Sequence, residues 1–189
     1  ERGKLGFNAK FLIETGEEIG SPGLQEFCTR ERARLQADVL IASDGPRLSA
    51  HRPTIYLGSR GAVNMDFTVD LREGAHHSGN WGGLLANPGI VLAHALASIV
   101  TREGKVLVPS ILPAGIPESV KKALADCAVE PGADEPAVDD WWGEPGFTRA
   151  EKVFGWHTFE ILAFKTGNPD NPVNAIPGRA TAHCQIRLE

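Results

Sequence analysis

The chain has 189 residues, 42% of them hydrophobic and 23% charged, with a formal net charge of -5. That is long and apolar enough for a sizeable core, and it excludes a disordered or fibrous chain. Lys and Arg are scattered rather than ranged along one face, so no nucleic-acid partner is expected, and the longest apolar run, residues 90–100, is interrupted by His94 and too short to span a membrane.

Residues 7–13 form a mainly apolar run followed by an acidic, Gly-punctuated stretch to Gly20, which predicts a strand running into a loop. Ser21 and Pro22 then read as N-cap and first residue of a helix reaching about Arg34. Residues 38–42 lack polar alternation, as a buried parallel strand would, and Ser43, Asp44, Gly45 and Pro46 are turn residues. This predicts a strand-helix-strand unit of an α/β domain over residues 1–58. Glu17, Glu18 and Asp44 then sit in loops at the carboxyl ends of strands, where open α/β sheets bind ligands.

The pattern changes after Pro53. From Val63 to Leu71, apolar residues alternate with Asn64, Asp66, Thr68 and Asp70, and Ala182, Cys184, Ile186 and Leu188 alternate with His183, Gln185 and Arg187. Period two predicts sheet strands wet on one face. Between them the sequence predicts a helix capped by Asn87 with Pro88 first and running to Thr101, a short strand over residues 105–108, a helix over residues 118–128 and a strand over residues 158–164. The fold class expected for residues 59–189 is therefore an α+β domain, an antiparallel sheet with helices on one face, ferredoxin-like in outline. The helix at Pro88 is apolar almost all round, so one side packs on the sheet and the other needs a further partner. Residues 129–146, acidic and rich in Pro and Gly, read as a long surface loop pinned down by Trp141 and Trp142.

Glu17 and Glu18 offer oxygen ligands and a base for metal-assisted hydrolysis, with Asp44 at the next strand end. The same residues also suit plain structural work, at a helix N-terminus and in a turn. His76 and His77 could bind a metal, polarise a carbonyl or simply occupy a turn, and Arg187 could clamp a carboxylate or lie idle on a strand face. Cys28, Cys127 and Cys184, widely spaced and odd in number, fit neither a disulfide framework nor a metal knuckle, and read as small apolar residues in a reducing cytoplasm. The chain starts at Glu1 and stops on an alternating segment, so it reads as an interior piece of a longer protein; Leu188 and Glu189 fit a tag scar or a natural continuation equally well.

Taken together, ETGEEIGSPGL (14–24), ASDG (42–45), GSRG (58–61), HSGNWGG (77–83) and NAIPGR (174–179) with Arg187 resemble, in order, the zinc peptidase family of carnosinase, aminoacylase, carboxypeptidase G, acetylornithine deacetylase and succinyl-diaminopimelate desuccinylase. The HSGxxGG form and GKVLVP (104–109) are most similar to the carnosinase-like dipeptidases. The resemblance implies a hydrolase of dipeptides or N-acyl amino acids with two zinc ions per subunit. Glu17 becomes the general base, Glu18 and Asp44 ligands of different zincs, His77 the group that reaches a substrate carbonyl in the opposite subunit, and Asn174 with Arg187 the pair holding the substrate carboxylate. Residues 1–58 become part of the catalytic domain and residues 59–189 the lid, through which a homodimer forms. The family's HxD motif and final histidine ligand are absent, so the implied site is incomplete and the chain by itself is expected to be inactive. The rival reading is a non-catalytic dimerisation or small-molecule-binding α+β module, which would not need the acidic loops.

Overall fold

The computed structural model describes residues 3–42, 55–56, 58–132 and 136–189, and divides into two compact units, Glu1–Pro46 and Arg47–Glu189. Asp44 lies outside the described residues.

In the first unit a network of backbone bonds shapes the acidic loop. Glu14 Oε1 accepts from the Gly16 N–H at 2.6 Å, and the Gly16 carbonyl accepts from both Ile19 and Ser21. Helix α1 (Leu24–Arg30) follows, then the single turn α2 (Arg32–Leu35) after a break at Glu31. The helix does not start at Ser21 and Pro22 as expected. Ser21 has φ 50° and Gly23 φ 83°, so the left-handed glycine, not the serine, turns the chain into the helix. Residues 7–13 and 38–42 form no strand either, and Phe11, Ile13, Leu40 and Ile41 are 86% to 90% exposed. A parallel strand is held by neighbouring ladders and covered faces, and among the described residues nothing pairs with these segments.

The second unit is built on a three-stranded antiparallel sheet in the order β1 (Gly61–Asp70), β5 (Arg179–Leu188), β3 (Thr158–Thr166). The alternation read from sequence is the one that forms. Ala180, Ala182, Cys184 and Ile186 of the central strand are buried, while His183 and Arg187 are exposed on the other face. Helix α4 (Pro88–Ala97) covers the inner face with Leu92 and Leu96, and Val106 and Phe159 complete the core. Burial of a leucine such as Leu92 stabilises by about 1.5–3 kcal/mol. Asn87 caps this helix as predicted, its Oδ1 accepting from Gly89 and Ile90. The helix ends four residues before Thr101, because Ile99, Val100 and Thr101 are β-branched and take up a tight hairpin, with Val100 bridged to Val106 and Thr101 bonded to Lys105. The strand expected over residues 105–108 is reduced to that bridge.

Beyond one end of the main sheet the same two chain segments pair again, as β2 (His76–His77) with β4 (Ala175–Ile176). Gly178 makes this possible, since a Cβ there would collide with the carbonyl oxygens of Arg72 and Gly74. The single turn α3 (Ser78–Trp81) follows β2. Helix α5 (Glu118–Leu124) is shorter than expected, and α6 (Arg149–Phe154), absent from the sequence reading, is fixed by a capping box in which Thr148 and Glu151 bond each other's backbone N–H. The tryptophan loop is pinned as expected: Trp142 packs on Gly104, Trp141 stands edge-on to it at 5.5 Å, and the Gly143 N–H donates to Glu103 at 2.7 Å.

Candidate functional site

The pairing of β2 with β4 brings two of the predicted residues to one corner. His77 is opposite Ala175, and the Ser78 N–H donates to the Asn174 carbonyl at 2.9 Å. His77 is exposed, and its Nδ1 accepts from the Gly79 N–H at 3.1 Å. That bond assigns the ring's proton to Nε2, leaving an outward N–H able to donate to a carbonyl oxygen. Gly79 is needed for this placement, because a Cβ there would lie 2.9 Å from His77 Cε1. His76, half-buried, stands edge-to-face with Trp81 at 6.3 Å and so supports the corner from behind.

Arg187 is elsewhere. It lies near the far end of β5, opposite Ala62 and Thr158, exposed and, among the described residues, without an ion-pair partner. Asn174 precedes the other end of that strand. Rise along β5 from Arg179 to Arg187, at about 3.3 Å per residue, puts roughly 26 Å between Arg187 and the turn leading back to Asn174. Within one protomer the two cannot grip one carboxylate, so the expected pairing of Asn174 with Arg187 does not hold inside a single chain. The outward face between them is a polar ladder: His183 Nδ1 meets Asp66 Oδ1 at 2.6 Å, and Gln185 Nε2 donates to Asn64 Oδ1 at 2.8 Å.

Glu17 and Glu18 both lie in the 3-10 turn Glu17–Ile19, closed by Gly20 at φ 83°, with exposed carboxylates. Zinc takes about four protein or water ligands. Among the described residues no three His, Cys, Asp or Glu side chains gather where they could hold a metal ion, so these residues do not by themselves fit a zinc centre.

A family model described as a peptidase dimerisation domain matches residues 57–189. The chain belongs to that family. The chain is 36% identical over 115 residues to the beta-Ala-His dipeptidase of Homo sapiens, covering 60% of this chain and 23% of that protein. It is 28% identical over 200 residues to the cysteinylglycine-S-conjugate dipeptidase of Corynebacterium striatum, covering 100% of this chain and 41% of the relative. The chain thus spans less than half the length of these relatives. Among solved structures, human carnosine dipeptidase 1 superposes with a TM-score of 0.65 at 24% identity, over 91% of this chain and 38% of its own. The dipeptidase Dug1p of Saccharomyces cerevisiae gives 0.66 at 23% identity, over 92% and 38%. These likenesses establish the mixed α/β fold with its antiparallel sheet and helices. No described helix is long and apolar enough to cross a membrane.

Some residues with structural or site roles escaped the sequence reading. Thr148 and Glu151 carried a legible T-x-x-E signal. The role of Gly79 had no signal beyond its place after His77, since only the folded corner brings the ring over it.

Proposed function

We propose that this chain is part of a metal-dependent dipeptidase or N-acyl amino acid hydrolase: residues 1–58 a piece of the α/β catalytic domain, residues 59–189 a ferredoxin-like lid through which two subunits join. The exposed apolar side chains of residues 7–13 and 38–42 support the first half, since they are suited to pairing inside a larger sheet. In the whole protein Glu17 acts as general base, Glu18 and Asp44 contribute to two zinc centres completed by groups this chain lacks, and His77 Nε2–H stabilises the oxyanion.

The observation that carries this reading is the separation of His77 and Asn174 from Arg187. A single small substrate can meet all three only if Arg187 comes from one subunit and His77 with Asn174 from its partner. The exposed side of α4, with Ile90 at 61%, offers an apolar face for such a two-fold contact.

The test mixes two inactive variants of the whole protein, His77→Ala and Arg187→Ala. A mixed dimer holds one site with both residues intact, and random pairing makes half the dimers mixed, so dipeptidase activity should return to roughly a quarter of wild type. Dimers that form, as sedimentation would show, yet recover nothing would refute the shared site.

A further inference from the structure

Helix α4 has two faces of different character. Leu92 and Leu96 turn inward to the core, at 1% and 3% exposure. With about 3.6 residues per turn, His94 points roughly 180° from their midline, and Ile90 and Ala97 flank it one turn to either side. All three are exposed, Ile90 at 61%. The outward face is thus apolar apart from one imidazole at its middle, and His94 is the only titratable side chain of the helix.

The elements packed against α4 are β1, β5 and β3, all of them behind Leu92 and Leu96. The charged side chains of these strands, the pair Asp66 and His183 among them, turn to the sheet's other face, and the Cys184 thiol beneath the helix is buried. None of these groups faces His94, so the strands under the helix offer its ring no counter-ion.

We propose that His94 gates the two-fold contact by pH: the outward face of α4 meets its own copy, and the contact closes only while both His94 rings are neutral. This rests on the two-subunit reading and adds its regulation. A second copy is the fitting occupant because the chain belongs to a peptidase dimerisation-domain family, and a two-fold contact puts the same patch on both sides. The middle of such a patch lies at the axis, so each His94 meets the other among apolar neighbours. Neutral rings pack there, one donating its N–H to the other's bare nitrogen. Two imidazolium rings repel, and each loses its hydration with no carboxylate to replace it.

A free imidazole, with a pKa of about 6.5, is almost wholly neutral at pH 8 and about one-tenth neutral at pH 5.5. A contact that accepts only neutral rings therefore weakens about tenfold for each ring, and roughly 100-fold for the pair, between those two values. Because the proposed site takes His77 from one subunit and Arg187 from the other, acid would also take that site apart.

Sedimentation equilibrium of the chain at pH 8 and pH 5.5 gives the dimer dissociation constant for wild type, His94→Leu and His94→Lys, with circular dichroism to confirm the fold. Wild type should dimerise at pH 8 and weaken roughly 100-fold at pH 5.5. His94→Leu keeps every other titratable group and should dimerise at both values to within about threefold. His94→Lys, charged at both, should be at least about tenfold weaker than wild type at pH 8, a comparison that needs no acid. A wild-type dimer that persists at pH 5.5, or a His94→Leu dimer that dissociates in acid as wild type does, would overturn the gate and leave the two-fold reading standing. His94→Lys dimerising as wild type at pH 8 would put the contact elsewhere and overturn the gate too. Wild type that is monomeric at both values would overturn the contact and the gate together.

Discussion

Replacing Gly79 by alanine isolates the contact that orients His77. The new Cβ would stand 2.9 Å from His77 Cε1 and 3.1 Å from Nδ1, closer than a side chain tolerates, so the ring must swing away and surrender the Gly79 N–H bond. A neutral hydrogen bond of this kind contributes about 0.5–1.5 kcal/mol, which biases the tautomer equilibrium toward Nε2–H by roughly 2- to 13-fold. Long-range nitrogen-proton NMR of the histidine rings reads the tautomer directly. In the wild-type chain His77 should show a protonated Nε2 and an unprotonated Nδ1, and in Gly79→Ala that preference should fall by the stated factor while the main sheet's amide shifts stay put. Gly83→Ala is a suitable control, since its φ of 82° adds strain but its Cβ meets nothing within 4 Å. An unchanged His77 signature in Gly79→Ala would refute the argument that this glycine sets the ring.

Three further outcomes are expected. Calorimetric titration with zinc should show no tight stoichiometric uptake by this chain, because its described residues gather no three metal-binding side chains; nanomolar binding would contradict that. Burial pushes the Cys184 thiol up, with the Asp66 carboxylate adding to the effect, so a thiol reagent should label Cys28 and Cys127, both half-buried, well before Cys184 in the native chain. The Thr148 backbone N–H, donating at 2.8 Å, and then the Thr148 hydroxyl hold the Glu151 carboxyl below the usual carboxylate range. A folded-state value below the unfolded one means the contribution is present above the ordinary carboxylate range and lost as pH falls through it, between about pH 5 and 3. Urea unfolding of Glu151→Gln should therefore show a shallower acid decline than wild type, and identical pH curves would count against the cap.

Much of the second unit was legible in the chain itself. The alternation of β1 and β5 names their buried faces, because side-chain direction in a strand depends only on position along it. The Asn87-Pro88 start of α4 is equally local, a cap bonded to N–H groups two and three residues away. The ordered motifs around Glu17, His77 and Asn174 carry the family resemblance without any knowledge of where those residues lie.

What the sequence left open depends on contacts between distant segments. Residues 7–13 and 38–42 have the composition of buried strands, but a strand exists only when a neighbour completes its ladder, and the described chain supplies none. Asn174 and Arg187 are thirteen positions apart and read as a pair. The extended run of β5 between them, stretched by its bonds to β1 and β3, instead sets them at opposite ends. His77 and Asn174, nearly a hundred positions apart, are joined by a two-residue ladder that no local pattern announces. The seat of Trp142 likewise depends on Gly104, whose missing side chain admits the indole. Local chemistry sets which face a residue shows; pairing and packing across the chain decide which faces meet.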